Sequence, residues 1–244
     1  MLSDIHGNFE SLKSVIENAE RWEEVIILGD LVDYGPEPEK VVDFVRELNP
    51  RFMILGNHDK AVAYGVDCGC GEKTHELSVY TRINISMKLL SEDQIKWLRS
   101  LNPYIETELE GKRLVLVHGS PRNPLYEYML PNLPIETLKL MLSPSTVSMR
   151  RSMQLKPGIV IAGHTHIPMD MSIEGVRVLN PGSVGQPRDG DPRASYAILD
   201  TEKMNFYVVK VRYDIDKTIL KLKNIVTENK VYEKLAKILL TGSI

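Results

Sequence analysis

The sequence has few of the features that would place a protein in a membrane, in a disulfide scaffold or on nucleic acid. Only two of its 244 residues are cysteines, the formal net charge is only −3, and no apolar run approaches the length of a bilayer span. No basic stretch followed by an apolar segment opens the chain, as it would in a secretory signal. We therefore expect a cytoplasmic protein with a small-molecule substrate, no membrane partner and no general attraction to nucleic acid.

The two cysteines are close together. Cys68 and Cys70 lie in the segment CGCG, where a single residue separates them. This spacing rarely suits an unstrained disulfide, so it predicts two free thiols. The alternative is a thiolate metal site formed across a dimer.

Short apolar runs organise the first two thirds of the chain. Four of them have the length of buried strands: Val25 to Leu28, Phe52 to Leu55, Leu114 to Val117 and Ile159 to Ala162. Helical spacing of apolar residues between them predicts helices after Asn8, after Pro38 and after the capping box of Ser91 and Gln94. A less regular pattern predicts a further helix from Lys73 to Leu90. Strands that alternate with helices in this way predict an α/β fold.

The pattern changes after residue 165. Two pairs of short strands, 169–173 with 176–179 and 194–199 with 206–211, predict antiparallel pairing. The tail, at about 215–240, is predicted to form one or two amphipathic helices. We expect these to pack on their own domain, with packing on a second copy in a homo-oligomer as the alternative. One α/β sandwich domain over residues 1–244 is the predicted organisation.

Potential metal ligands follow each of the four apolar runs. Gly-Asp at 29–30, GNHD at 56–59, His-Gly at 118–119 and GHTH at 163–166 all stand where a strand is predicted to end. In α/β sheets the C-terminal ends of the strands face a common crevice, so these side chains are expected to converge there. Asp4 and His6 add a pair with the same spacing as His164 and His166. Side chains two apart on an extended segment point to one side, so each pair is expected to reach the metal centre from one face.

The candidate ligands are carboxylates, imidazoles and one amide oxygen, without sulfur. They are Asp4, His6, Asp30, Asn57, His118, His164 and His166. Manganese, iron, zinc, cobalt or nickel suits such a set. Seven ligands are too many for one ion with an open position, but they suffice for two ions if Asp30 bridges them through its two oxygens. Two-metal centres of this kind acidify a bound water and clamp the oxygens of a displacement at phosphorus, which predicts phosphoester hydrolysis.

These motifs stand in the order of a known signature. The blocks DIH, GDLVD, GNHD, VHGSP and GHTH resemble those of the calcineurin-like metallophosphoesterase superfamily, and they cover about two thirds of the chain. The resemblance implies a four-layer α-β-β-α sandwich with two mixed sheets and an active site at the C-terminal ends of the strands. It also implies two divalent metal ions, with manganese expected first.

The resemblance assigns roles to individual residues. One ion would take Asp4, His6, Asp30 and His166, and the other Asp30, Asn57, His118 and His164. His58 would protonate the leaving-group oxygen, as a histidine beside two cations can do. Asp59 is expected to orient the ring of His58, and capping a local turn is its alternative role.

Two positions depart from the family pattern. An apolar strand of several residues usually precedes the first motif, whereas only Met1, Leu2 and Ser3 precede Asp4. We therefore expect the natural start to lie upstream or to be misassigned. The second departure is Tyr34, which stands where the protein phosphatase and diadenosine tetraphosphatase branches carry an arginine for the substrate phosphate. Its presence weighs against both branches.

The remaining motifs resemble those of the small prokaryotic phosphodiesterase branch, through GNHD and the turn after Asn180. Arg122 and Tyr126, just past VHGSP, are candidate substrate contacts together with Tyr34, and a solvated loop is the alternative for the first two. The predicted function is hydrolysis of small phosphodiesters or phosphomonoesters by a metal-bound hydroxide. A dinucleoside polyphosphate hydrolase and a phosphoprotein phosphatase are the alternatives within this chemistry. A non-catalytic metal-binding scaffold is the alternative from another class, and the full ligand set weighs against it.

Overall fold

The computed structural model describes residues 1–19, 22–143 and 155–244. Its frame is a five-stranded sheet and two two-stranded pairs, which the start of the chain joins into one sheet, with helices outside. The helices are α1 (Phe9–Asn18), α2 (Pro38–Leu48), α3 (Asn57–Tyr64), α4 (Glu72–Thr81), a π-helical turn (Arg82–Ser86), α5 (Met87–Leu89), α6 (Glu92–Ser100), α7 (Ile135–Leu142), α8 (Ile215–Ile225) and α9 (Asn229–Thr241). The strands are β1 (Ile26–Ile27), β2 (Phe52–Met53), β3 (Tyr104–Leu109), β4 (Lys112–Val117), β5 (Gly158–Ile161), β6 (Met169–Ile173), β7 (Val176–Asn180), β8 (Ala194–Asp200) and β9 (Asn205–Val211). The predicted strands and helices are confirmed, whereas β3, α3 and α7 were not anticipated.

The first sheet is assembled around the start of the chain. β1 and β2 pair in parallel, and β8 and β9 pair antiparallel. Leu2 forms a parallel bridge with Ile27 of β1, while Met1 exchanges hydrogen bonds of 2.7 and 3.1 Å with Ala197 of β8. Residues 1–3 therefore occupy the strand position between β1 and β8, and they lead directly into Asp4.

The second sheet has the order β3-β4-β5-β7-β6. Its three central strands are parallel, and β3 and β6 are added antiparallel at the edges. The expected antiparallel hairpin in the C-terminal half is confirmed as β6 and β7. Because β4 and β5 run in parallel, their C-terminal ends lie side by side, and this brings His118 and His164 to the same edge of the sheet.

Successive side chains of β4 face opposite sides of the second sheet and so identify the neighbouring layers. Leu114 and Leu116 of β4 belong to the same buried cluster as Leu28 from the first sheet, so this cluster fills the space between the sheets. Val115 and Val117 face the other way and pack with Leu138 of α7. On the first sheet, Ile27 packs with Leu12 of α1. The layers are therefore helix, sheet, sheet and helix, as the resemblance implied.

The C-terminal helices pack on their own chain. Leu222 of α8 and Leu235 of α9 lie in a buried cluster with Leu77 of α4 and Tyr34. Lys221 adds ion pairs of 2.5 Å to both Glu10 and Glu37. The prediction that the tail packs on the domain is confirmed. Within the described ranges, no helix is long and apolar enough to cross a bilayer.

Candidate metal centre

The seven predicted metal ligands converge at the C-terminal ends of the strands. Two compact groups form, one of Asp4, His6 and His166 and one of Asp30, His118 and His164, in each of which the ligand atoms lie within 4.8 Å of one another. The oxygen Oδ1 of Asn57 lies 3.0 Å from Nε2 of His118, which adds it to the second group. All seven side chains are buried. His164 and His166 contribute to different groups, so this pair does not serve one ion alone.

Five of the seven ligands have a left-handed backbone conformation. The angle φ is +52° at Asp4, +49° at His6, +57° at Asp30, +65° at His164 and +59° at His166. Non-glycine residues rarely adopt this conformation, and the cost is of order 1 kcal/mol or more each. The expectation that both pairs lie on extended segments is therefore wrong. Tight left-handed turns, held by the surrounding structure, aim these side chains at the centre.

One carboxylate oxygen of Asp4 accepts hydrogen bonds from the protein, and the other has no hydrogen-bond partner. Its Oδ2 accepts hydrogen bonds from the Ser3 hydroxyl at 2.6 Å and from the backbone N–H of His164 at 3.1 Å. Its Oδ1 is buried without a hydrogen-bond partner and lies 3.3 Å from Nε2 of His166. A buried carboxylate oxygen without a donor is costly, so the site fits a cation at this point.

Asp30 repeats this arrangement at the boundary between the two groups. Its Oδ1 accepts from the backbone N–H of His58 at 2.9 Å, and Gly56 makes room for that oxygen, because a Cβ there would lie 2.0 Å from it. The unpartnered Oδ2 lies 3.1 Å from Nε2 of His118 and 3.7 Å from Nε2 of His6. Only Oδ2 is thus left for both groups, which changes the expectation that each oxygen would serve one ion.

Backbone carbonyls fix the orientation of three histidine rings. Nδ1 of His6 lies 2.9 Å from the carbonyl of Val32, Nδ1 of His118 lies 2.6 Å from that of Leu28, and Nδ1 of His166 lies 2.5 Å from that of Gln186. Each Nδ1 therefore donates its proton outward, and in the neutral form of each ring the lone pair of Nε2 points into the centre. The Nε2 atoms of His6 and His166 face each other at 3.3 Å, a contact that a shared cation stabilises.

Burial keeps most of these imidazoles neutral. It lowers the pKa of His6 to about 3 and lowers the pKa values of His164 and His166 well below their usual range. Burial acts in the same direction on His118, but the charge of Asp30 outweighs it and raises the pKa of His118 to about 9. Metal binding requires the neutral ring, so an ion would replace the proton that Asp30 otherwise holds on His118.

Two further contacts orient the second group. The side-chain amide of Asn57 donates to the carbonyl of Cys68 at 2.8 Å, which leaves its oxygen facing the centre. The ring of Tyr128 stacks on His164 with 3.9 Å between centroids, and its hydroxyl accepts from the backbone N–H of Gly71 at 3.2 Å. Nε2 of His164 is buried without a hydrogen-bond partner. The free acceptors of both groups therefore fit divalent cations.

His58 lies beside the two groups, and its ring partner differs from the expected one. Nδ1 of His58 lies 3.0 Å from Oδ2 of Asp33, whereas the carboxylate of Asp59 accepts from the backbone N–H groups of Asp30, Leu31 and Gly56 at 2.7, 2.8 and 3.1 Å. The assignment of Asp59 as the residue that orients His58 is thus corrected. Through these hydrogen bonds Asp59 caps the turn of its own GNHD motif, which was its alternative role. It also connects that turn to the one that contains Asp30 and Leu31.

The three predicted substrate contacts have different surroundings. Tyr34 is buried, with its ring centroid 4.8 Å from that of His6 and 4.9 Å from that of His58, so it packs behind the centre. The guanidinium of Arg122 is engaged by Glu127 through Nε at 2.8 Å and through Nη2. The hydroxyl of Tyr126 accepts from Lys60 at 3.0 Å. Neither Arg122 nor Tyr126 contacts a metal-ligand candidate in the hydrogen bonds of the described chain.

Arg188 is a site residue that the sequence did not reveal. Its backbone N–H donates to the carbonyl of His166 at 3.3 Å, and its Nη2 donates to Oε1 of Gln186 at 2.7 Å. Its Nε is buried without a hydrogen-bond partner, and no carboxylate among the described residues forms an ion pair with it. After burial, its charge is the next cause that lowers the pKa of His166. The sequence signal that could have indicated Arg188 is its position shortly after the GSVG turn, two residues from Gln186.

The fold and the converging ligands define a metal-dependent phosphoesterase. The sequence profile described as the calcineurin-like phosphoesterase superfamily domain matches residues 1–204. The chain belongs to this superfamily.

Relatives agree with that assignment. An uncharacterised protein of Methanocaldococcus jannaschii is 32% identical over 243 residues, covering 91% of this chain and 90% of the relative. Phosphodiesterase YfcE of Escherichia coli K12 is 24% identical over 216 residues, covering 83% and 87%. The crystal structure of a metallophosphoesterase from Sphaerobacter thermophilus matches with a TM-score of 0.76 at 28% identity, covering 99% of this chain and 98% of that one.

Proposed function

We propose that this phosphoesterase hydrolyses a phosphodiester of a small molecule with the help of two divalent metal ions, of which manganese is the first choice. The observation that carries the proposal is the set of buried, unpartnered acceptors in the centre: Oδ1 of Asp4, Oδ2 of Asp30 and Nε2 of His164. Each belongs to a side chain that is otherwise held in place, as in a site preorganised for cations.

The ligands divide between the two ions as follows. One ion would be held by Asp4, His6, Asp30 and His166, and the other by Asp30, Asn57, His118 and His164. Bound ions of this kind supply Lewis acidity, which acidifies water and withdraws charge from phosphate oxygens. Oxygen and nitrogen donors without sulfur are compatible with manganese, as they are with iron, zinc, nickel or cobalt.

His58 is proposed as the proton donor to the leaving-group oxygen. Its Nδ1 is held by Asp33, which leaves Nε2 as the atom available to a substrate. Burial disfavours the charged ring, but the charges of Asp30 and Asp33 outweigh burial and raise the pKa of His58 above its usual value. A protonated imidazole at neutral pH is what a general acid requires.

Arg188 is proposed to bind a non-bridging phosphate oxygen. It is half-buried, its Nε has no partner, and Gln186 holds one Nη of its guanidinium. An arginine can present two donors to a phosphate, so it can take the place of the arginine that Tyr34 replaces. Arg122 is a weaker candidate, because Glu127 already neutralises its charge.

The experiment that tests the proposed function is a substrate panel on metal-stripped protein. Phosphomonoesters, phosphodiesters and dinucleoside polyphosphates are assayed after reconstitution with each of the five candidate metals. We expect the highest kcat/KM for a phosphodiester with manganese, and two metal ions per chain by elemental analysis. Higher kcat/KM for a dinucleoside polyphosphate would overturn the substrate class, and one ion per chain at full activity would overturn the two-metal centre.

A further inference from the structure

The two thiols of the CGCG loop are a sequence feature that the proposed phosphoesterase centre does not use. Cys68 is buried, Cys70 is half-buried, and both thiols are free. The residue between them, Gly69, has a φ of +59°, which permits the tight turn that brings the two cysteines to one side. A Cβ at this glycine would lie 3.0 Å from the ring of Tyr126, so that ring covers the turn.

The loop places both sulfur atoms next to His58. Ligand atoms of His58, Cys68 and Cys70 all lie within 4.8 Å of one another. The hydroxyl of Ser78 lies 3.3 Å from Sγ of Cys68 and 3.2 Å from Nδ1 of His58, so the Nδ1 edge of the ring faces this sulfur. The hydroxyl of Tyr34 lies 3.8 Å from Sγ of Cys70.

The chemistry of this cluster differs from that of the main centre. None of the seven ligands of the main centre contains sulfur, whereas two of the three donors here are thiols. Thiolates select soft ions such as zinc or cadmium over manganese or magnesium. The proximity of the two thiols lowers the pKa of Cys68 and raises that of Cys70, so Cys68 is the one more readily available as a thiolate.

We propose that His58, Cys68 and Cys70 form a third metal site, which binds a thiophilic divalent ion such as Zn²⁺ and thereby withdraws His58 from proton donation. Around tetrahedral zinc, with Zn–S of about 2.3 Å and Zn–N of about 2.0 Å, neighbouring donors lie about 3.6 to 3.8 Å apart. The observed spacing of at most 4.8 Å requires each donor to move inward by about an ångström or less. A water molecule or a further side chain completes the shell.

The link to activity follows from the position of Nδ1. An ion on this atom takes the place of the proton that Asp33 now holds there. The ring then lacks the positive charge that makes an imidazolium a strong acid, and protonation of the leaving group slows. This part of the inference rests on the proposed role of His58, whereas metal binding by the three donors does not.

Binding is tested with cadmium, because thiolate-bound Cd²⁺ absorbs in the near ultraviolet. Protein already loaded with manganese is titrated with Cd²⁺, and absorbance and metal content are measured together. We expect the thiolate band to saturate at one Cd²⁺ per chain while manganese is retained. A double variant, Cys68→Ser with Cys70→Ser, should show no band and no additional ion, with an unchanged unfolding temperature. No band in the wild type, or saturation at one ion per two chains, would overturn the site.

Two histidine variants identify the third donor. Cys68 also lies within 4.8 Å of the exposed pair of Asp67 and His75, which makes His75→Ala the matched control. We expect His58→Ala to weaken Cd²⁺ binding at least tenfold and His75→Ala to leave it unchanged. The opposite result would place the ion in the exposed group and overturn the proposal.

The effect on activity is measured with two diesters. Saturating Zn²⁺ should slow hydrolysis of an alkyl diester at least tenfold in the manganese enzyme and slow a nitrophenyl diester much less. The double serine variant should lose this selective inhibition. Equal inhibition of both diesters, alongside a normal thiolate band, would contradict the proton-donor role of His58 and the regulatory consequence, while metal binding at the three donors would stand.

Discussion

Nδ1 of His58 lies 3.0 Å from Oδ2 of Asp33, and both side chains are buried. Asp33 is itself anchored, because its Oδ1 accepts from the hydroxyl of Ser86 at 2.9 Å. The ring of His58 is therefore held by the GD motif, while its own backbone N–H donates to Asp30. The proposed proton donor His58 and the candidate metal ligand Asp30 are thus positioned by the same GDLVD segment.

The first prediction concerns His58→Ala. We expect this change to slow alkyl diesters by about 10² to 10⁴-fold and nitrophenyl diesters far less, because a nitrophenolate leaves without a proton. The manganese content of the main centre should stay at the wild-type level, since His58 is not one of its seven candidate ligands. Equal losses on both substrates would instead indicate that His58 stabilises the phosphoryl oxygens electrostatically.

The second prediction concerns pH and Asp33→Asn. A general acid must be protonated, so the rate on an alkyl diester should fall as pH rises through the pKa of His58, which lies above its usual value. Burial lowers this pKa, and removal of the Asp33 charge leaves only Asp30 as the main opposing charge. The descending limb of the pH profile should therefore move to lower pH in the variant. A limb that does not move would exclude His58 as the titrating group.

The third prediction separates Asp59 from Asp33. Asp59→Ala leaves three buried backbone N–H groups without an acceptor, so we expect a loss of roughly 3 kcal/mol or more in the free energy of unfolding. Denaturant titration measures it. The ratio of alkyl to nitrophenyl diester rates should stay at the wild-type value. A changed ratio would restore Asp59 to the role of orienting His58.

The fourth prediction concerns Arg188→Ala and its matched control. Removal of a phosphate contact should raise KM for diesters about tenfold or more, which corresponds to the 1.5 to 3 kcal/mol of a hydrogen bond to a charged group. Arg122→Ala should leave KM unchanged, because that guanidinium is already engaged by Glu127. Steady-state kinetics give KM for both variants. An increase in KM for Arg122→Ala but not for Arg188→Ala would assign the phosphate contact to Arg122.

The fifth prediction concerns metal removal. The ligands come from segments as far apart as Asp4 and His164, and metal ions that bind only the folded chain stabilise it by mass action. Stripping with a chelator should therefore lower the unfolding temperature, and manganese should restore it. The temperature should rise with manganese concentration in wild-type protein. Asp30→Ala should abolish that dependence, whereas Arg188→Ala should keep it.

The seven candidate ligands converge as the sequence predicted, because five of them sit in short motifs behind apolar runs and the pair Asp4 and His6 repeats the spacing of His164 and His166. The helices that start at Asn8 and Ser91 were predictable for a similar reason, since both residues cap their helix through local hydrogen bonds. Strand β3 was not anticipated, because its segment YIETEL has no continuous apolar run: Glu106 and Glu108 alternate with less polar residues. Sequence patterns were sufficient to predict features that depend on interactions between residues close together in the chain.

Such sequence patterns do not predict contacts between segments that are distant in the chain. The pairing of His58 with Asp33 spans 25 residues, and the contact of Arg188 with His166 depends on how two loops meet. The left-handed turns at the ligands were equally hidden, because aspartate and histidine are compatible with an extended strand as well as with a turn. Tertiary packing, rather than propensity, selects between these conformations.

The C-terminal helices contribute to the packing behind the candidate metal centre. The superfamily profile ends at residue 204, yet Leu222 and Leu235 pack in the same cluster as Tyr34, whose ring touches those of His6 and His58. The back wall of the candidate metal centre is therefore built in part by residues beyond those that the superfamily profile matches. Substitutions at Leu222 or Leu235 can therefore shift Tyr34 and the rings of His6 and His58 while all seven candidate ligands stay the same.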